Sequence, residues 1–376
     1  MSQEESAPKK QRTEISISHN LDNALATSCE LVGDTDWTKC FTFVKSRLGN
    51  TSQLEELVVA HFKNGGFVVS DEEKLSRLIA KIASGYNNTS YHNFSHATHV
   101  FLNGYILLKA SNVDFSPVER AALLYSTIIH DIGHEGVPNA QLVKEEHPLA
   151  AKYEKLSVAE NFSIDEGIAL IEKDEYNALG CGLGCGLGFT AVEMGHFKHL
   201  VRCIVLATDI GNREGVQQIY GTVEREVAAY AKKQAGQQQG GGKTTAAAAA
   251  AAADVYADMY RTSEHKGKEC CSIDSSKAEN RITMLCLLMK LADVGSSFQH
   301  TETSKHWIHN FFCENSAAHT LGRGPEIVDQ SFLEAQQGFF NGCVCYNLLF
   351  LSPPLIPLYQ PTFPLSISST SPPLVH

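Results

Sequence analysis

Residues 119–131 read ERAALLYSTIIHD, and residues 280–293 read NRITMLCLLMKLAD. In both, apolar residues recur every three or four positions, which predicts a helix with one buried face. Both stretches end on an acid that this face carries inward. Leu123 and Leu124 lie seven residues before His130 and Asp131, so the first helix aims a His-Asp pair at the core. The stripe Ile282, Leu285, Cys286, Met289 runs on into Asp293. The same period marks LEELVVAHF (54–62), EEKLSRLIAKIA (72–83), VFLNGYILLKA (100–110), DEGIALIEK (165–173) and FKHLVRCIVLATD (197–209). Alternating strands between turns are scarce. The fold class is all-α from about residue 50 onward.

The rest of the chain is read against this helical block. Its 376 residues suffice for one large domain or two ordinary ones, and 43% hydrophobic with 19% charged residues supplies a sizeable core. A net charge of −11 argues against nucleic acid as the partner, since phosphate backbones call for a basic footprint. No apolar run is long enough to span a membrane, and MSQEESAPKKQR opens with acids rather than a secretory signal, so a cytoplasmic protein is expected. The eleven cysteines contain no CxxC pair and read as reduced, small apolar residues. Residues 1–20 read as a disordered polar N-terminus. The glycine-rich 181–188 and the Gln/Gly/Ala-rich 235–254 read as inserts between helices, and 343–376 as a proline-rich, aperiodic tail. Nothing in the sequence sets the oligomeric state.

Three segments carry chemistry. The first is YHNFSHATHV (91–100), in which His92, His96 and Val100 would stack on one helix face. The second is HDIGHEGVPN (130–139), with His134 one turn beyond His130. The third is the buried Asp293. Each acid taken alone reads equally well as a capping or salt-bridged residue. An ionised carboxylate buried without a partner is costly, however, and a divalent ion beside it supplies the missing charge. Together His96, His130, Asp131 and Asp293 make a His2Asp2 set drawn from three helices. Mixed nitrogen and oxygen donors suit zinc, and Asp131 has a spare oxygen for a harder ion such as magnesium.

This order of a His, a His-Asp pair and a distant Asp resembles the HD-type metal-dependent phosphohydrolases. More closely, YHNFSHATHV and HDIGHEGVPNAQL resemble the YHNxxHAxxV and HDxxHxGxxNxxL motifs of class I 3′,5′-cyclic nucleotide phosphodiesterases. The segments at 157–161, 205–209, Ala292-Asp293, Trp307 and 336–340 follow in the family's order, covering about residues 50–342.

The resemblance implies a compact multi-helix catalytic domain with a two-metal site at the base of a deep pocket. His96, His130, Asp131 and Asp293 would hold zinc, and Asp131 would bridge to magnesium or manganese. A hydroxide bridging the two ions would open the 3′ phosphoester of cAMP or cGMP, ending a signal, with His92 as general acid. His134 and Thr208 would hold waters of the second ion, Glu160 would orient His92, and Asn139 would brace the metal loop. Gln336 would read the purine edge, Phe339 and Phe311 would sandwich the ring, and Tyr91 would line the substrate pocket.

The chain departs from the family pattern at Phe162-Ser163, Arg213 and Ser296, where histidines or asparagine are usual. Two other readings compete. Another HD phosphohydrolase acting on nucleoside di- or triphosphates accounts for the ligands but not for Tyr91-His92-Asn93 or the Gln336/Phe339 pair. A nucleotide-binding regulatory module predicts binding without turnover.

Overall fold

The structure is a computed structural model and describes residues 50–111, 113–180, 188–219, 221–222, 225, 274–298 and 301–326. The 1–20 segment, the inserts apart from Gly188, Gln336, Phe339 and the 343–376 tail lie outside these. The described elements are α1 (Thr51–Lys63), α2 (Glu72–Ser84), α3 (Phe94–Ala110), α4 (Pro117–Ile129), α5 (Asn139–Lys144), α6 (Pro148–Lys152), α7 (Val158–Ile171), α8 (Ala191–Leu206), α9 (Ala278–Val294) and α10 (Thr301–Thr320). A 3-10 turn, Gly295–Phe298, joins the last two closely. Among the described residues the only sheet-type contact is a bridge between Gly180 and Phe189. No helix among them is long and apolar enough to cross a membrane.

Local chemistry sets where the helices begin. Ser116 and Glu119 form a capping box with Pro117 in the first turn of α4, and Thr190 and Glu193 do the same for α8. Asn93 caps α3 by accepting from the His96 N–H at 3.1 Å. That cap corrects one expectation. His92 is not stacked with His96 on a helix; it lies in the turn before α3.

Helix α3 is buried along nearly its whole length and forms the centre of the core. Phe101 stacks on Phe62 of α1, with ring centroids 6.1 Å apart. Gly104 lets α4 approach, since a Cβ there would sit 2.9 Å from a methyl of Thr127. Helices α4 and α9 run side by side in the same direction. At their N-terminal ends Arg281 grips Glu119, its Nε donating at 2.8 Å. At their C-terminal ends they deliver His130 and Asp293. The buried Asn103 amide donates to the Ala292 carbonyl at 2.9 Å, tying α9 to α3 one residue before Asp293. A smaller cluster of Val137, Leu142, Ala150, Val158 and Ala318 packs beneath the loop that follows Asp131.

Candidate active site

Helix α4 stops at His130, and Gly133 then turns the chain with φ +71°. The turn is pinned from both flanks. The Gly133 N–H donates to Gly85 O at 3.0 Å, and the Asn87 amide donates to the carbonyls of Gly133 and His134 at 3.1 and 2.9 Å. His130 Nδ1–H donates to Thr127 O at 3.0 Å, which leaves Nε2 bare and facing the acids.

The expected metal donors converge. His130 Nε2 lies 3.0 Å from Asp131 Oδ2 and 3.5 Å from Asp293 Oδ1. His96 Nε2 lies 3.2 Å from the same Asp293 oxygen and 3.7 Å from the same Asp131 oxygen. His96, His130 and Asp293 each bring a donor atom within 4.8 Å of the others, close to the spacing of about 3.3–3.5 Å that zinc imposes on its donors, and Asp131 joins them from beside His130. His130 Nε2 is also buried with no hydrogen-bond partner. The residues therefore fit a divalent ion. Burial would push both carboxyls towards neutrality. His130, aided by His92 and His134 at Asp131 and by His96 at Asp293, outweighs that and holds both below the usual carboxylate range.

A cavity of about 540 Å³ opens onto this set. Asp131, Asp293, His92 and His134 line it; so do Asn139, Glu160 and Thr208, and Tyr91 with Trp307 and Phe311 of α10 supply an aromatic wall. The Tyr91 ring lies 4.4 Å from that of His96 and 5.2 Å from that of Phe311. Every expected site residue among those described thus meets at one place.

The partner of His92 is not the expected one. Glu160 makes no hydrogen bond to it; its carboxylate accepts from the Asn139 amide at 2.8 Å. Asn139 Oδ1 in turn accepts from Ala159 N at 2.9 Å, which ties the start of α5 to the first turn of α7. Burial and then the nearby Asp209 push the Glu160 carboxyl up to about 7. The carboxylate on His92 Nδ1 belongs to Glu314 of α10. Its second oxygen accepts from the backbone N–H groups of Tyr91 and His92, at 2.8 and 2.9 Å. Burial disfavours a charged His92, but Asp131, Glu314 and Asp293 together outweigh it and raise its pKa. The His134 ring lies 3.8 Å from that of His92, tilted by 30°, and its pKa is pushed the other way, to about 4, by burial and by the charge on His92. Its Nδ1 accepts from Gly136 N at 3.1 Å. Thr208 donates its hydroxyl to Val205 O at 2.8 Å.

Two helices that deliver His130, Asp131 and Asp293 to one cavity give the arrangement of a metal-dependent hydrolase domain. Residues 91–347 match the model of the 3′5′-cyclic nucleotide phosphodiesterase family. The chain belongs to that family.

Among curated proteins it is similar to "cGMP-specific 3′,5′-cGMP phosphodiesterase 3" of Dictyostelium discoideum, 27% identical over 38% of this chain and 29% of that one. It is also similar to "cGMP-specific 3′,5′-cyclic phosphodiesterase alpha" of Plasmodium falciparum, 32% identical over 28% of this chain and 11% of the relative. A third relative, "3′,5′-cyclic-AMP phosphodiesterase 4" of D. discoideum, is 34% identical over 35% of this chain and 12% of its own length. The match thus spans under a third of each of these relatives. Among solved structures, the phosphodiesterase domain of a rhodopsin phosphodiesterase from Salpingoeca rosetta matches with TM-score 0.60 and 21% identity. That match covers 81% of this chain and 83% of the other, and it shows the shared fold.

Proposed function

We propose that this chain hydrolyses the 3′ phosphoester bond of a 3′,5′-cyclic nucleotide to the 5′-monophosphate. The observation that carries the reading is the gathering of His96, His130, Asp131 and Asp293, whose two acids line one cavity together with His92, itself paired to Glu314. Zinc in the four-donor set, with magnesium or manganese at the spare oxygen of Asp131, would supply Lewis-acid charge for the phosphate and lower the pKa of an attacking water.

The chain's own residues do the rest. A 3′ alkoxide is too basic to depart without a proton, and His92 is the donor. Its Nδ1–H is committed to the Glu314 carboxylate, so the proton it gives up is the one on Nε2. The backbone bonds to Glu314 hold that ring in place while the proton moves. His134, neutral because of burial and the charge on His92, is suited to hold water beside Asp131. The Tyr91, Trp307 and Phe311 wall offers the purine an apolar face, with Gln336 and Phe339 as the residues that would fix its edge and its stack.

The test is hydrolysis of cAMP and cGMP, separately, by purified protein with magnesium, with a chelator, and with Asp131→Ala. Metal-dependent release of 5′-monophosphate that the substitution abolishes establishes the activity and its base preference. A folded, metal-loaded protein that turns over neither nucleotide refutes it, and equilibrium binding of the nucleotides then tests the binding-module reading.

A further inference from the structure

The donor set at Asp131 is not the only convergence of metal-binding side chains. His92, His134 and Glu314 each present a donor atom, and these atoms lie within 4.8 Å of one another. They come from three separate segments: the turn before α3, the loop after α4, and α10. His92 and His134 line the cavity, and Glu314 lies buried against His92.

We propose that His92, His134 and Glu314 form an inhibitory zinc site, separate from the His96, His130, Asp131 and Asp293 set. Two imidazoles and a carboxylate are a donor set that zinc accepts, with a fourth position left to water. Zinc needs its donors about 3.3 Å apart, so the hydrogen-bonded His92–Glu314 edge has to open around the ion while His134 turns towards it. Magnesium prefers oxygen-rich sites that leave it most of its waters, and it competes poorly for a site with two nitrogens. Binding expels the proton that His92 and Glu314 share, so zinc and this proton exclude each other.

The consequence for activity rests on the phosphodiesterase reading. The ring that zinc takes is the proposed proton donor. Excess zinc would then inhibit an enzyme whose tight site also uses zinc, acting through different residues. The binding claim stands apart from that reading, and it can be measured on a protein that turns over nothing.

The experiment is zinc titration of metal-stripped, full-length protein in saturating magnesium, read by equilibrium dialysis and elemental analysis. Wild type is expected to bind a tight equivalent and a weaker one. His96→Asn should lose the tight equivalent and keep the weaker. Glu314→Gln and His134→Asn should keep the tight one and weaken the other at least about tenfold. Circular dichroism checks the fold of each variant; should Glu314→Gln fail it, His92→Asn decides, since His134 also stands beside the ion at Asp131. Zinc-edge X-ray absorption of doubly loaded protein should gain an imidazole signal that His134→Asn reduces. Equal stoichiometry and affinity in wild type and both triad variants overturns the proposal. For an active enzyme, half-inhibition by zinc should move to about tenfold higher concentration in His134→Asn. Lack of turnover would count against the phosphodiesterase reading and leave the binding result standing.

Discussion

Glu314 accepts the ring N–H of His92 across 222 residues of sequence, and its second oxygen holds the backbone of Tyr91 and His92. One carboxylate on α10 therefore sets the position, tautomer and charge of the histidine that would protonate the leaving group. A buried carboxylate is costly unless paired, and here hydrogen bonds from the His92 ring draw the Glu314 pKa down to about 2 against the effect of burial.

Replacing Glu314 with Gln keeps the shape and removes the charge. The expected outcome is a fall in kcat of about 10- to 100-fold, with KM little changed. The pH profile is the sharper readout. The raised His92 pKa keeps the acid form below that pKa, and activity is lost as pH rises through it. Without the carboxylate that pKa drops, so the alkaline limb of kcat should move to lower pH. An unshifted limb would mean that Glu314 does not tune His92.

The parts of this site that the sequence revealed are those governed by helix period. The apolar stripes of α4 and α9 aim His130, Asp131 and Asp293 inward, and the structure places them edge to edge as read. His92 falls outside the helix because Asn93, a capping residue next to it, starts α3, and a cap outweighs the four-residue spacing of the histidines. Glu314 is illegible for a different reason. It shares a face of α10 with Trp307 and Phe311, at spacings of seven and three, so an acid on that buried stripe was visible. Its partner lies outside any helix and far away in the chain, and no local pattern names such a partner. Glu160 was the nearer acid, but its carboxylate is taken by Asn139.

Arg323, just beyond α10, forks onto Glu145 with bonds of 2.7–3.1 Å and reaches Glu135 at 2.9 Å, while Glu135 also faces His147 at 3.2 Å. Glu135 adjoins His134 in the metal loop, so this network registers α10 against that loop. Exposed pairs add little stability. Arg323→Ala should therefore barely move the melting temperature yet lower kcat about tenfold by loosening the His92, His134 and Glu314 arrangement. Arg323→Lys should not restore it, since an ammonium cannot make the fork. Calorimetry and steady-state kinetics on the same samples separate the two effects.

The Glu119–Arg281 pair makes stability depend on acid. Burial favours the neutral Glu119, but the hydrogen bonds from Arg281 and from the Ser116 cap outweigh it and lower its pKa. The sign follows from that depression. The pair's contribution is present above the unfolded carboxylate pKa, about 4.3, and is lost as pH falls through the lower folded value. Glu119→Gln should flatten the acid end of the stability curve in urea titrations between about pH 5 and 3. Glu119→Ala, which also removes the cap, should cost about 2 kcal/mol at neutral pH. If wild type and the Gln variant lose stability in parallel on acidification, the pair is not the source.

Gly133 combines two constraints that a single substitution can separate. Its φ of +71° disfavours any side chain, and a Cβ there would lie 2.3 Å from the Phe162 ring. Gly133→Ala should destabilise the domain by about 2–4 kcal/mol, roughly half from the backbone and half from the clash. Phe162→Leu alone removes little, because that ring is only partly buried. In the double variant the clash is relieved and the backbone term remains, so its destabilisation should be smaller than that of Gly133→Ala alone. Because the turn carries Asp131 and His134 on either side of Gly133, zinc affinity should follow the same order as the thermal midpoints. A double variant no more stable than Gly133→Ala would assign the whole penalty to the left-handed turn and none to Phe162.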